Sequence, residues 1–195
     1  MHGRRITIIQ GHPDPRGNRF GHALARSYAN GAVKAGHTVK VIDLAHLSIP
    51  LLRTQDEWKS DPVPETLQEA QAAIAWAEHL VIFFPLWLGT MPALLKAFLE
   101  QTLRPGFAIA TSESAAMWRK LLSGRSARVV VTMGMPAFVY RWFFHAHAIK
   151  GLRRNILAFC GIAPVAQSLI GSVEASDARR AKWLERMTVL GRQAR

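Results

Sequence analysis

A loop of apolar side chains carries the residues of this sequence whose chemistry is most specific. Residues 80–84 are apolar without interruption, which predicts a strand buried on both faces. Trp87 and Leu88 follow in the loop 85–91, and Pro92 then suits the first position of a helix. Surface loops seldom carry such side chains, so we expect a flat apolar ligand or a partner subunit above this loop. The alternative is that the loop is buried under another part of the same chain.

Two further loops carry groups that suit the polar parts of such a ligand. Residues 11–18 end at Asn18, a predicted N-cap, and lead into a helix N-terminus, where free N–H groups bind anions; a plain capped turn is the alternative. Gly134 follows another predicted strand and lets a ligand approach the backbone N–H groups around it. Phosphate donors, an apolar slot and backbone donors together describe a site for a flavin. Neither Gly-x-Gly-x-x-Gly nor a Walker loop occurs, which disfavours a Rossmann dinucleotide domain and a nucleotide triphosphatase.

These loops need a scaffold that brings the ends of different strands together. Hydrophobic patterns and turn residues predict five strands, at residues 5–10, 37–44, 80–84, 128–132 and 164–171. They predict helices between the caps Asn18 and Gly36, and at 65–78, 92–100, 112–123, 144–159 and 176–193. Because strands alternate with helices, the fold class is α/β, a flavodoxin-like doubly wound five-stranded parallel sheet in the order 2-1-3-4-5. The chain is expected to form a single flavin-binding domain, residues 1–195, with the three loops meeting where the strand order reverses.

Two helices show the spacing of one buried face, and the long segment between the second strand and the second helix shows none. Spacing on the first helix predicts that four residues face inward: Phe20, Leu24, Tyr28 and Val33. Spacing on the last helix predicts the same for Trp183, Met187 and Leu190. Residues 45–64 lack a clear period and are expected to be a connection without regular structure.

Composition and charge narrow the function classes. The chain has 195 residues, 49% of them apolar, and a formal net charge of +12. Its basic residues are scattered and form no recognisable nucleic-acid module, so phosphates or a nucleotide are better candidate partners than nucleic acid. Cys160 is the single cysteine, which excludes an internal disulfide, and it is predicted to be a core residue. No apolar run is long enough for a signal peptide or a membrane span, so we expect a cytoplasmic protein.

Short motifs along nearly the whole chain, taken in order, resemble one family. They lie at residues 11–13, 84–87, 91–96, 132–134, 159–162 and 176–179, together with Tyr140. This set resembles the flavodoxin-like NAD(P)H:quinone oxidoreductases of the DT-diaphorase type. The motif that spans residues 84–96 is the specific one, and the others are weak when taken singly.

The resemblance implies a flavin-bound homodimer with its site at the subunit interface. Hydride would pass from NAD(P)H to the flavin and then to a quinone or a similar two-electron acceptor. The resemblance assigns the phosphate end to His12, Asn18 and Phe20, and the ring contacts to Pro85, Leu86, Trp87, Leu88 and Gly89. It assigns donors to the pyrimidine edge, where negative charge develops on reduction, to Thr132, Met133, Gly134 and Tyr140. Arg179 matches an adenine contact, which favours FAD over FMN, and Glu100 matches a position reached from the other subunit.

The chain departs from the family pattern near the proposed catalytic residues. The diaphorases place a histidine six residues after the tyrosine; here that position is Ala146, with His145 and His147 on either side. Tyr140, His145 and His147 are therefore the catalytic candidates, and the alternative for both histidines is a surface or interface position. Histidines two apart on a helix face different directions, so no metal site is expected. The family often has a second aromatic residue where this chain has Leu88.

Residues 142–144, a run of one tryptophan and two phenylalanines, predict a lid over the pocket or a dimer contact, with a place in the core as the alternative.

Two other functions are consistent with the fold. Some relatives are regulatory ancillary subunits that dock on potassium-efflux antiporters, and this is the alternative to an enzyme. A single-electron carrier like flavodoxin is opposed by the charge of +12, since such carriers are usually acidic by resemblance. The acceptor, the choice between FAD and FMN, and the choice between NADH and NADPH are left open by the sequence.

Overall fold

The computed structural model describes residues 3–60, 62–112 and 115–195, and seven strands lie within these ranges. They are β1 (Arg5–Gln10), β2 (Thr38–Asp43), β3 (His79–Pro85), β4 (Ile109–Ser112), β5 (Ala115–Lys120), β6 (Ser126–Thr132) and β7 (Val165–Ile170). The helices are α1 (Phe20–Lys34), α2 (Gln55–Ser60), α3 (Glu65–Trp76), α4 (Ala93–Thr102), α5 (Ala137–Trp142), α6 (His147–Gly151), α7 (Ala158–Cys160) and α8 (Asp177–Arg192). A 3₁₀ turn covers Leu44–His46, and a π-helical segment, Leu152–Leu157, joins α6 to α7.

Five of the strands form one parallel sheet in the spatial order β2-β1-β3-β6-β7. Counted along the chain, this is the predicted order 2-1-3-4-5, and the predicted flavodoxin-like α/β fold is confirmed. β3 lies at the centre, and all of its residues are buried. A run of apolar residues with no polar alternation is what a strand covered on both faces requires.

Each face of the sheet has its own core. On one face, Ile82 and Val129 pack with residues of α3 and α4, including Leu67 and Phe98. On the other face, the alternate residues of the same strands, such as Phe83, pack with α1 and α8. Successive strand residues point to opposite faces, so this division follows from the strand period of two.

The helices α1 and α8 pack closely because glycines stand at their contact. A Cβ atom on Gly31 of α1 would lie 2.1 Å from the carbonyl oxygen of Thr188 in α8. A Cβ atom on Gly191 of α8 would lie 2.1 Å from the carbonyl oxygen of Tyr28 in α1. Both distances are far below contact, so neither position accepts a side chain without separation of the helices.

The predicted helix at 112–123 is wrong. The chain there forms the antiparallel hairpin of β4 and β5, and residues 113 and 114 lie outside the described part of the chain. Leu121 N donates to Ala108 O at 3.0 Å, which extends the pairing of the two strands, and Leu122 N donates to Cys160 O at 3.0 Å, which ties the end of the hairpin to α7. Tertiary pairing overrides the helix preference of the alanines in this segment.

Helix ends and one connection also differ from the predictions. Arg19, not Asn18, is the N-cap of α1, and Pro92 is the N-cap of α4 instead of its first helical residue. Val33, predicted to face inward, is exposed. The segment predicted to be helical from residue 144 begins its helix at His147. The connection at 45–64 contains part of the 3₁₀ turn and all of α2.

The burial of Cys160 and the character of the helices bear on two further predictions. Cys160 is buried, as expected, and burial raises the pKa of its thiol to about 11, which suits a core residue. Within the described ranges, no helix has both the length and the apolar character that a bilayer span requires.

Candidate functional site

The loops that follow β1, β3 and β6 meet at one edge of the sheet, as predicted. The His12 and Trp87 rings, from the first and second loops, have centroids 5.9 Å apart. Leu86 N donates to Thr132 O at 2.8 Å, which joins the second loop to the end of β6. The Tyr140 hydroxyl on α5 donates to Gly89 O at 3.4 Å. Side chains and backbone from all three loops therefore face one region.

Gly11 and His12 fix the start of the first loop against β3. Gly11 N donates to Phe83 O at 2.7 Å, and a Cβ on Gly11 would lie 2.9 Å from that oxygen. Asp14 N donates to His12 Nδ1 at 3.0 Å, so Nδ1 is the acceptor and the proton of a neutral ring lies on Nε2. Burial is the main cause that lowers the pKa of His12, and the nearby His22 lowers it further, so the neutral form is favoured.

A carboxylate and two arginines form an ion-pair cluster on the first loop. Asp14 Oδ2 lies 2.7 Å from Arg16 Nη2 and 2.6 Å from Arg19 Nε. The hydrogen bonds from Arg16 hold the pKa of Asp14 well below its usual range. Arg26 Nη1 donates to Gly17 O at 3.0 Å, which brings a third guanidinium to this loop. Among the described residues, no side chain caps the N-terminus of α1, so its first N–H groups and these arginines present positive charge to an anion.

The second loop holds its apolar side chains outward in a tight turn. Trp87 and Thr90 each donate a backbone N–H to the other's carbonyl at 2.9 Å. The two residues between them have positive φ, 46° for Leu88 and 79° for Gly89, as in the turns of tight hairpins. Trp87 is 48% exposed and Leu88 is fully exposed, so the alternative that this loop is buried under the same chain is wrong.

The third loop presents backbone with little side-chain cover. Met133 N donates to Ile170 O at 2.9 Å, and this bond ties the loop to β7. Gly134 is exposed, and a Cβ built on it would meet no described atom within 4 Å. Tyr140 is buried on α5, and burial raises the pKa of its hydroxyl, so the hydroxyl remains a proton donor at neutral pH.

Several predicted site residues make contacts away from these three loops. Glu100 on α4 pairs with Lys96. Arg179 is exposed in the first turn of α8, where its N–H donates to Ser176 Oγ at 3.3 Å. His145 and His147 are exposed beyond α5, with ring centroids 5.7 Å apart.

Two residues of the predicted phosphate end, Asn18 and Phe20, differ from each other in exposure. Asn18 is exposed just before α1, and Phe20, in the first turn, is half-buried and packs against the α1 and α8 side of the core. Their contacts with a ligand remain predictions.

No sequence pattern predicts His22 as part of this site. It is 5% exposed, its ring centroid lies 5.1 Å from that of His12, and neither ring nitrogen has a partner among the described atoms. It lines a cavity beside Arg26 and Asp43. The spacing of ten between the two histidines gave no signal, because only the turn between β1 and α1 brings them together.

Metal ligands are not gathered at this site. In the parts of the chain that are described, no group of three or more His, Cys, Asp or Glu side chains is arranged to hold a metal ion.

The fold is that of a known family. The model of the Flavodoxin_2 family, a flavodoxin-like fold, matches residues 4–189, and the chain belongs to this family. The solved structure of Smu.1420 from Streptococcus mutans has a TM-score of 0.82 to this chain at 28% identity, covering 96% of this chain and 98% of that one.

Relatives similar along their whole length are named as oxidoreductases. An uncharacterized NAD(P)H oxidoreductase of Haemophilus influenzae is 25% identical over 192 residues, covering 96% of this chain and 94% of the relative. An FMN-dependent NADH:quinone oxidoreductase of Nitratidesulfovibrio vulgaris is 26% identical over 207 residues, covering 92% of this chain and 95% of the relative. These names confirm the predicted resemblance and the expectation of an oxidoreductase. Neither relative is named as an antiporter subunit.

Proposed function

We propose that this chain is a flavin-dependent NAD(P)H oxidoreductase, with residues 1–195 acting as one flavin-binding domain in the cytoplasm. When bound, the flavin would accept a hydride from NAD(P)H and pass it to a quinone or a similar two-electron acceptor. One observation carries the proposal: His12 and Trp87 bring the first and second loops together, and Tyr140, on the helix after the third loop, donates to Gly89 of the second.

The residues at this edge fit a flat ring with a phosphate tail. Gly17, Gly89 and Gly134 each have open space where a Cβ would stand, so a ligand can approach the backbone of all three loops. Trp87 presents an exposed aromatic face next to that space. Arg16 and Arg19 lie at the entrance to α1, where a phosphate would compete with Asp14 for their guanidinium groups.

Each residue then has a role that its chemistry allows. His12, with its proton on Nε2, donates a hydrogen bond towards the phosphate end, where Asn18 and Phe20 complete the loop. Pro85, Leu86, Trp87, Leu88 and Gly89 exclude water from one side of the ring. Thr132, Met133 and Gly134 border the pyrimidine edge, and Tyr140 remains protonated as a donor beside it. His145 and His147 are candidates to move a proton at the mouth of the site.

The cofactor is proposed to be FAD, with FMN as the alternative. Arg179 lies on α8, next to Arg180, whose Nη1 donates to Val173 O at 3.1 Å. Val173 N in turn donates to Met133 O at 3.4 Å, which connects the start of α8 to the third loop. This position supports a role for Arg179 with an adenine. The relative from Nitratidesulfovibrio vulgaris is FMN-dependent by name, which supports the alternative.

We also propose a homodimer in which the partner chain completes the site. Glu100 lines a groove with Trp58 and Phe159. The rings of Trp58, Trp118 and Phe159 follow one another with centroid distances of 6.4 and 6.1 Å. Trp118 and Phe159 are exposed, and an exposed aromatic row of this kind is typical of a protein interface.

The proposal is tested with the purified chain and added flavin. We expect a yellow protein whose flavin absorbance bleaches on addition of NADPH or NADH and returns on addition of a quinone. Release of the flavin by heat and its mass then separate FAD from FMN. A chain that stays colourless after incubation with both flavins would end the proposal.

A further inference from the structure

Four aromatic side chains project from α5 and the turn after it, and we call them the aromatic tip. Phe138, Trp142 and Phe143 are 67%, 74% and 75% exposed, and Phe144 is 47% exposed. The alternative that residues 142–144 belong to the core is therefore wrong. Four large apolar side chains within seven residues form a patch that calls for a binding partner.

The backbone holds the aromatic tip in place. Phe143 N donates to Val139 O at 2.9 Å, and Ala146 N donates to Tyr140 O at 3.0 Å. Tyr140 and Ala146 are buried, so the tip is anchored at both ends. His145 and Ala146 adopt positive φ values of 53° and 48°, which are unfavourable for residues other than glycine. The conformation of the turn therefore holds the rings in their outward direction.

The stretch of sequence that contains the aromatic tip carries charge of one sign. Residues 115–173 contain eight Lys or Arg residues and no Asp or Glu. Arg141 lies on α5, and Lys150, Arg153 and Arg154 lie on the helical segment that leaves the tip; all four are exposed. Phe138, Arg141 and Trp142 also line a surface groove against β7, so an arginine shares this groove with two aromatic side chains.

We propose that the aromatic tip docks on the surface of an anionic lipid bilayer. Tryptophan and phenylalanine enter the boundary between headgroups and acyl chains, while Lys and Arg bind the lipid phosphates. A second copy seated tip to tip would bring Arg141 and Lys150 against like charges, whereas lipid phosphates complement them. The charge pattern therefore favours lipid over self-association at this surface.

The docked orientation also indicates a substrate class, an inference that rests on the proposed function. Tyr140 is on the same short helix as the tip, and its hydroxyl contacts Gly89 in the second loop. The mouth of the site would then lie close to the bilayer. The acceptor in this geometry is a lipid-dissolved quinone, taken up from the membrane without passage through water.

Co-sedimentation with vesicles tests the docking without use of activity. We expect the purified chain to sediment with vesicles of equal phosphatidylglycerol and phosphatidylcholine and not with phosphatidylcholine alone. Trp142→Ser with Phe143→Ser is expected to weaken binding at least about tenfold, since two interfacial aromatic anchors are lost. Arg153→Gln with Arg154→Gln is expected to weaken binding by a similar factor, and added salt to weaken it further.

The matched control changes exposed apolar residues elsewhere. Val33→Ser with Val41→Ser removes two side chains that are each 59% exposed, and binding is expected to stay unchanged. Wild-type chain that fails to sediment with anionic vesicles overturns the proposal. A tip variant that binds vesicles like the wild type also overturns it. If the chain binds no vesicles and the tip variant changes its oligomeric state, a second copy covers the tip and the proposal is overturned as well.

Turnover separates this inference from the proposed function. Reduction of a water-soluble quinone is expected to be the same in the wild type and in the tip variant, whereas reduction of a quinone dissolved in anionic vesicles falls in the variant. Equal rates of the wild type and the tip variant on the vesicle-borne quinone would overturn the inferred substrate class. A chain that binds no flavin would end the proposed function, while the sedimentation result would still decide the docking.

Discussion

The hydroxyl of Tyr140 is the one catalytic candidate that the structure places against the second loop. Tyr140→Phe keeps the buried ring and removes the donor to Gly89 O. We expect flavin content to be unchanged and kcat with a soluble quinone to fall about a hundredfold, the scale of one positioned proton donor. Steady-state rates, together with flavin absorbance per chain, measure both quantities.

Tyr28→Phe is the matched control for that substitution. Tyr28 is fully buried on α1, and its hydroxyl has no partner among the described atoms. Loss of an unpaired buried hydroxyl is expected to leave turnover unchanged and stability equal or slightly higher. If both variants keep wild-type rates, Tyr140 has a packing role only.

A substitution at Arg179 tests whether this side chain contributes to the binding of FAD but not of FMN. Arg179→Gln is expected to weaken FAD binding about tenfold, the scale of a lost charge-assisted hydrogen bond, and to leave FMN binding unchanged. Arg192→Gln, at the other end of α8, is the control and should change neither affinity. Calorimetric titration with each flavin gives the two dissociation constants. Equal losses for FAD and FMN would contradict a role with the adenine.

Single residues at loop ends were the least predictable part of the site. Asn18 is a better N-cap than Arg19 by type, and the difference is only about 1 kcal/mol. The ion pair of Arg19 with Asp14 belongs to the conformation that is observed, and such a pair between loop residues has no periodic pattern in the sequence. The exposed Trp87 and the position of Gly134, by contrast, follow from strand ends and could be predicted.

Close packing between α1 and α8 depends on two glycines, and this contact is tested at the level of the element. Gly191→Ala would place a Cβ 2.1 Å from Tyr28 O, which forces the helices apart. We expect a loss of about 2–3 kcal/mol in the free energy of unfolding, typical of overpacking. Denaturation with urea at constant pH measures it.

Gly151→Ala is the control for the same chemical change. Gly151 has helical dihedral angles, and a Cβ on it would meet no described atom within 4 Å. Alanine there is expected to leave stability equal or to raise it by up to about 1 kcal/mol, because alanine restricts the unfolded chain. A loss of similar size in both variants would show that the helix contact is not the cause.

Elements with a strong hydrophobic period were predicted, and those held by tertiary contacts were not. Apolar runs identified β1, β3 and β6, because parallel strands are buried on both faces. The hairpin of β4 and β5 was missed, since Trp118 packs between Trp58 and Phe159 and this packing is invisible in a local window. The short helix α2, in a segment without a clear period, was missed for a similar reason.

Buried histidines make the whole molecule sensitive to acid. Burial lowers the pKa of His79 from 6.5 to about 4, and its Nδ1 lies 2.8 Å from Ser126 Oγ. The unfolded chain then binds more protons than the folded chain below pH 6.5, so stability is present above that pH and is lost as the pH falls towards 4. His79 alone is expected to remove about 3 kcal/mol at pH 4, and burial of His12 and His22 acts in the same direction.

His79→Gln tests this pH dependence. The variant is expected to lose less stability between pH 7 and pH 4 than the wild type, as measured by urea denaturation at a series of pH values. His147→Gln removes an exposed imidazole and should leave the pH profile unchanged. Parallel profiles for all three proteins would contradict the account.

The central strand β3 gives the molecule an internal reference for measurements. Its residues are buried and pair with β1 on one side and β6 on the other. Its amide hydrogens can exchange for deuterium only when the sheet opens, whereas those of the loop at 85–91 exchange through local opening. A single labelled sample thus reports the global free energy of unfolding from the strand and the occupancy of the neighbouring loop from its slower exchange.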